Sequence, residues 1–144
     1  MIGPRGDFVL DEASRRTLVF IGQGVGFAPL RSLVEHALNL ELEQPMRLER
    51  EHDGPGEPYL HNLCRSWADG LDDFVYVARR APLAAADWLR ILADPGAGDG
   101  AGSAGSDYYV SGPEPFATRV EEALSALGVP AERVRVNALE RARR

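Results

Sequence analysis

Five short apolar runs alternate with four stretches of helical periodicity along the chain, and this alternation limits the possible folds more than any other feature. Residues 17–21 (TLVFI) are apolar and partly β-branched with no alternation, as a strand covered on both faces must be. Residues 46–51 set Met46 and Leu48 against Arg47 and Glu49, which predicts a partly exposed strand near a sheet edge. Residues 73–78 (DFVYVA), 108–110 and 134–136 complete the predicted strands. Between them, Leu30, Leu33, Val34, Ala37 and Leu38 share one helix face, and Leu60, Leu63, Cys64, Trp67 and Ala68 share another that ends near Gly70. A third helix over 83–93 turns Trp88, Leu89 and Leu92 inward. A fourth, over 116–127, carries Phe116, Val120, Ala123, Leu124 and Leu127 on one face and is closed by Gly128. Such alternation implies right-handed crossovers and a parallel sheet. The expected fold is α/β: a doubly wound five-stranded parallel sheet in the order 3-2-1-4-5, with helices on both faces. In that order the chain reverses direction between strands 1 and 4, and ligands bind at the carboxyl ends of the strands at such a switch point.

The two most unusual turns of the chain follow strands 1 and 4. After the first comes Gly22-Gln23-Gly24-Val25-Gly26-Phe27-Ala28-Pro29, whose glycines allow positive φ and close approach to the main chain. The helix it opens offers free N–H groups and the positive end of its dipole to a pyrophosphate. The spacing is not G-x-G-x-x-G, because Phe27 takes the third glycine's place, and no Lys-Ser/Thr follows as in a P-loop. Tight strand–helix packing would account for the same glycines. After strand 4 comes Ser111-Gly112-Pro113-Glu114-Pro115-Phe116, which brings a small hydroxyl to the strand end and stiffens the start of the helix with prolines.

Composition narrows the partners. The chain has 144 residues, one domain's worth, of which 44% are hydrophobic and 26% charged. Its formal net charge is −6, and every one of its basic residues is arginine, so nothing in the balance points to nucleic acid. No apolar run is long enough to span a membrane, and the first residues lack the pattern of a signal peptide. The lone Cys64 excludes an internal disulfide, and a cytoplasmic location is expected. Cys64, Trp67 and Trp88 sit at core spacing, and His36, His52 and His61 share no metal-ligand spacing. The segment 94–106 (DPGAGDGAGSAGS) is predicted to be a flexible surface loop.

Taken with their order along the chain, these motifs resemble the pyridine-nucleotide-binding domain of the ferredoxin–NADP reductase superfamily of flavoenzymes. Residues 21–30 are similar to the family's I-A-G-G-T-G-I-A-P-L turn, and residues 109–116 to its Y-x-C-G-P-x-x-M turn. Residues 127–134 (LGVPAERV) resemble its closing helix and strand, and residues 3–10 (GPRGDFVL) the end of its flavin barrel. The resemblance implies three parts: a remnant of the flavin-domain end at 1–10, the nucleotide-binding domain at 11–140, and a frayed tail at 141–144.

It also implies a reaction in which NAD(P)H passes hydride from nicotinamide C4 to flavin N5. The flavin then hands single electrons to an iron–sulfur centre, haem or other acceptor. By the same resemblance, Gly24, Val25 and Gly26 line the pyrophosphate–nicotinamide path. Ser111, Gly112 and Pro113 lie close to the nicotinamide, with Ser111 in the catalytic position. Pro29, Glu114 and Phe116 complete the two cofactor-binding motifs. Gln23 stands where the family has glycine, Val25 where it has threonine, and Ser111 where it has cysteine. The second strand ends in Glu49-Arg50-Glu51-His52; its acids favour a ribose diol while Arg50 argues for a 2′-phosphate, so NADH is only slightly preferred over NADPH. No R-x-Y-S-type flavin motif is present, so FAD is expected on a separate domain or chain. The rival reading is a non-catalytic interaction or assembly subunit that has lost cofactor binding.

Overall fold

In the computed structural model, residues 8–56, 58–93 and 105–139 are described, the side chain of Val25 apart. The predicted 94–106 loop lies outside the described residues up to 104, while Ser106 is instead the buried first residue of a strand; residues 1–7 of the expected barrel remnant and residues 140–144 with the tail also lie outside. The strands are β1 (Thr17–Gln23), β2 (Met46–His52), β3 (Phe74–Arg80), β4 (Ser106–Pro113) and β5 (Val134–Leu139). The helices are α1 (Phe27–Asn39), α2 (His61–Gly70), α3 (Ala85–Ala93) and α4 (Glu114–Ala126). All strand pairs are parallel, and the sheet order is β3-β2-β1-β4-β5, as the alternation requires.

The pleat of β1 divides the core in two. Leu18 and Phe20 face α1 and α2, where they meet Leu30, Val34, Leu48, Cys64 and Tyr109. Val19 and Ile21 face α3 and α4, where they meet Trp88, Val110, Phe116, Val120 and Leu124. Leu18, Phe20 and Ile21 are fully buried, and burying such a side chain contributes about 1.5–3 kcal/mol each. On the α1 side, Phe8 and Leu10 also pack into the core, and the Asp11 N–H donates to the Tyr109 hydroxyl at 2.9 Å.

One strand differs from its sequence reading. β2 is neither exposed nor at an edge: six of its seven residues are buried, and β3 lies outside it. Its alternation of apolar and charged residues looked like an inside–outside pattern. Instead both faces are covered, and the charged face is neutralised from within. The Arg47 Nε donates to Glu49 at 2.6 Å, and Arg79 of β3 pairs with the same carboxylate.

Cys64 is a core residue, as its spacing suggested. Burial pushes its thiol above the usual range, outweighing the neighbouring Arg50 guanidinium, which donates to the sulfur at 3.7 Å. The thiol is therefore expected to resist an aromatic disulfide reagent at neutral pH in the folded protein. It should react within the mixing time in denaturant; fast labelling of the native chain would show that α2 does not hold Cys64 against the core.

Candidate functional site

The turns after β1 and β4 meet at the switch point. Residues Gly24–Gly26 form a single 3-10 turn that runs directly into α1. Gly22 is in register with Ser111, so the two strand ends lie side by side. Beyond them the backbones close on each other: a Cβ on Gly26 would stand 2.3 Å from the Ser111 carbonyl oxygen and 2.7 Å from the Gly112 Cα. Gly112 is pinned likewise, its absent Cβ lying 2.6 Å from the Phe116 ring. Three of the glycines thus serve packing: Gly22 makes room for Leu30, Gly26 for β4, and Gly112 for Phe116.

Gly24 is different. It takes φ +58° and is exposed, and a Cβ there would meet nothing within 4 Å. Its backbone is the part of the turn that an incoming group can reach. Just beyond it, α1 begins without a side-chain cap and with no acid in its first turn. The helix start is left electropositive, an effect worth about 0.3–1 kcal/mol at an exposed end. Both helices carry a proline in the first turn, Pro29 in α1 and Pro115 in α4, and neither has a side-chain cap, but α4 begins with Glu114, which adds a negative charge there. Of the two helix starts at the switch point, the α1 start is the one that suits an anion.

The expected site residues fall into two groups. Gly24 and Glu114 are exposed, and Pro29 and Pro113 partly so. Gly26, Ser111, Gly112 and Phe116 are buried and shape the turns from beneath. The Ser111 side chain is 0% exposed, and its hydroxyl accepts from Asn137 Nδ2 of β5 at 3.4 Å. Phe116 stands edge-on to Trp88 with ring centroids 6.0 Å apart, a core contact. Val25 is described by its backbone alone, which lies in the middle of the 3-10 turn.

The acidic end of β2 turns inward. Glu49 is held by Arg47 and Arg79, and Glu51 receives Gln23, Leu83, Trp88 and Arg119. Arg50 lies over the Phe27 ring at 3.9 Å and donates to the Tyr59 carbonyl at 2.6 Å. The sequence reading missed Glu51 and Arg119 as neighbours of the turn. The charge run at the carboxyl end of β2 was the available signal, once β2 is placed inside the sheet. Among the described residues, no group of three or more His, Cys, Asp or Glu gathers as metal ligands do, and no helix is long and apolar enough to cross a membrane.

Comparison with known proteins agrees with the fold. No family model matches the chain. It is 27% identical, over 93% of its length, to the reductase component of propane 2-monooxygenase from Rhodococcus jostii, of which it covers 38%. The structure superposes on an Amycolatopsis cytochrome P450 reductase with a TM-score of 0.72 at 21% identity, covering 98% of this chain and 44% of that one. It superposes on the ferredoxin reductase in carbazole 1,9a-dioxygenase, in its FAD apo form, with a TM-score of 0.70 at 18% identity, covering 94% and 39%. The chain spans less than half the length of each of these proteins. Its fold is ferredoxin-reductase-like, as the sequence resemblance implied.

Proposed function

We propose that the chain is the NAD(P)H-binding module of a flavin-dependent reductase, positioning the nicotinamide for hydride transfer to a flavin held by another domain or chain. The observation that carries this reading is the joint at the switch point. A left-handed, open Gly24 leads into an α1 start with neither cap nor acid, and the turn is braced by the backbone of β4. The donor set there consists of main-chain N–H groups, and a Cβ on Gly24 would meet nothing within 4 Å among the described residues beyond its chain neighbours, which fits a pyrophosphate. The reduced nicotinamide supplies the hydride when bound.

The chain's own part is to bind and orient. Gly24 and the first N–H groups of α1 hold the phosphates, and Pro29 limits the donors to the start of the helix. Pro113 and Ser111 would lie on the β4 side of the bound nucleotide, where Ser111, buried and accepting from Asn137, would act as a positioning residue rather than a proton carrier. Glu49 and Glu51 are engaged by arginines, so they give no reason to prefer NADH, and the proposal covers both nucleotides. The downstream partners are the flavin domain and a single-electron acceptor, as the likeness to oxygenase reductase components suggests.

Calorimetric titration with NADH and then NADPH tests the reading. Saturable 1:1 binding by at least one of them is expected. Binding by neither sinks the cofactor reading and favours the rival, an interaction subunit on the same scaffold.

A further inference from the structure

One buried carboxylate ties together the elements that surround the switch point. Glu51 of β2 is 1% exposed. Its Oε2 accepts from Gln23 Nε2 at 3.1 Å, from the Leu83 N–H at 3.3 Å and from Arg119 Nη2 at 3.4 Å. Its Oε1 accepts from the Trp88 indole N–H at 3.1 Å. The donors belong to the end of β1, the segment before α3, α4 and α3. A carboxylate so placed could serve only to anchor the two helices.

The turn itself argues for more. Its far end is fixed, because Gly26 is wedged against Ser111 and Gly112. At Gly24 the turn is exposed, and the helix it opens has no side-chain cap to hold the first turn. The near end is Gln23, the residue immediately before the left-handed Gly24, and its amide is held by Glu51. From these contacts we infer that Glu51 is a positioning residue for the glycine turn, acting through Gln23 to hold residues 23–26 in the shape that presents the first N–H groups of α1. A turn fixed beforehand loses less freedom when a ligand binds, so the pair raises affinity without touching the ligand. Gln23, which replaces a family glycine, is on this account a brace. The inference rests on the proposed reading of the turn only where ligand affinity is concerned.

Amide hydrogen exchange of the full chain, followed by NMR, tests it without any ligand. Gln23→Met keeps the side chain's length and removes the donor; Glu51→Gln removes the charge that receives it. In both variants the amides of Gly24, Gly26 and Phe27 should exchange about tenfold faster, the order expected for losing one hydrogen bond to a charged group. The interior of α1 should be unchanged. Turn amides that exchange at the wild-type rate in both variants would overturn the inference and leave Glu51 as a helix anchor. Should Glu51→Gln not fold, Gln23→Met decides alone, since it leaves the carboxylate its other three donors.

A second arm measures NADH affinity. Each variant should bind several-fold more weakly than wild type, and the double variant no more weakly than the worse single one, because both act by one route. Losses that multiply would overturn that route. If the wild-type chain takes up neither NADH nor NADPH, the cofactor reading fails, and the exchange rates still decide the role of Glu51; if it takes up NADPH alone, the same comparison is made with NADPH.

Discussion

Alanine at Gly26 is expected to cost about 3 kcal/mol of stability and, on the proposed function, to abolish nucleotide binding. The backbone at this residue, φ −65° and ψ −11°, is ordinary right-handed geometry. On conformational grounds alone, alanine would stabilise the chain by about 0.4–1 kcal/mol. Sterics decide otherwise. The new methyl would lie 2.3 Å from the Ser111 oxygen, 2.5 Å from its carbonyl carbon and 2.7 Å from the Gly112 Cα. These are main-chain atoms of a strand paired on both sides, so they cannot yield as a side-chain tip can. Relief requires the two turns to part, which opens the proposed anion site itself.

Gly22 supplies the control. Its Cβ would meet the Leu30 Cδ1 at 2.5 Å, the end of a flexible side chain, and Gly22→Ala should cost only about 1 kcal/mol. Urea unfolding of both variants, with unchanged m-values, measures the difference. Equal midpoints for Gly26→Ala and wild type would mean that the two turns do not touch in solution.

The fold was legible because its determinants are local and repeated. Strand 1 is apolar on both faces, each helix carries one apolar face, and Gly128 takes the positive φ that closes α4. The two turns were legible as a pair because the strand order brings them together. What sequence could not assign was which glycine does what. Gly22, Gly24, Gly26 and Gly112 look alike in one dimension, whereas Gly24 alone among them has a left-handed backbone and open space beside it. The same limit applies to Ser111, whose neighbour Asn137 lies on another strand and hides it.

β2 was misjudged for a related reason. Alternating charge means an exposed face unless partners arrive from elsewhere. Here they come from β2 itself, β3 and α4, at separations no local pattern reveals.

That buried row supports a second large effect. Glu49→Ala should lower stability by about 3–5 kcal/mol, the cost of removing one member of a buried ionic cluster. Glu49 is 0% exposed and Arg47 6%, so the deletion strips a counter-charge from a guanidinium that water can hardly reach. Arg79, at 30%, can turn outward. The charge, rather than the missing volume, causes most of the loss, and a double replacement separates the two. Arg47→Met with Glu49→Leu removes both buried charges and keeps the space filled. It forfeits the hydrogen bond from Arg47 to the Ile91 carbonyl and should still recover to within about 1–2 kcal/mol of wild type. Urea midpoints for the single and double variants read this directly. A double variant no more stable than Glu49→Ala would make packing the cause. The expected recovery would mean that the apolar faces of the sheet, rather than the paired charges along β2, supply the stability.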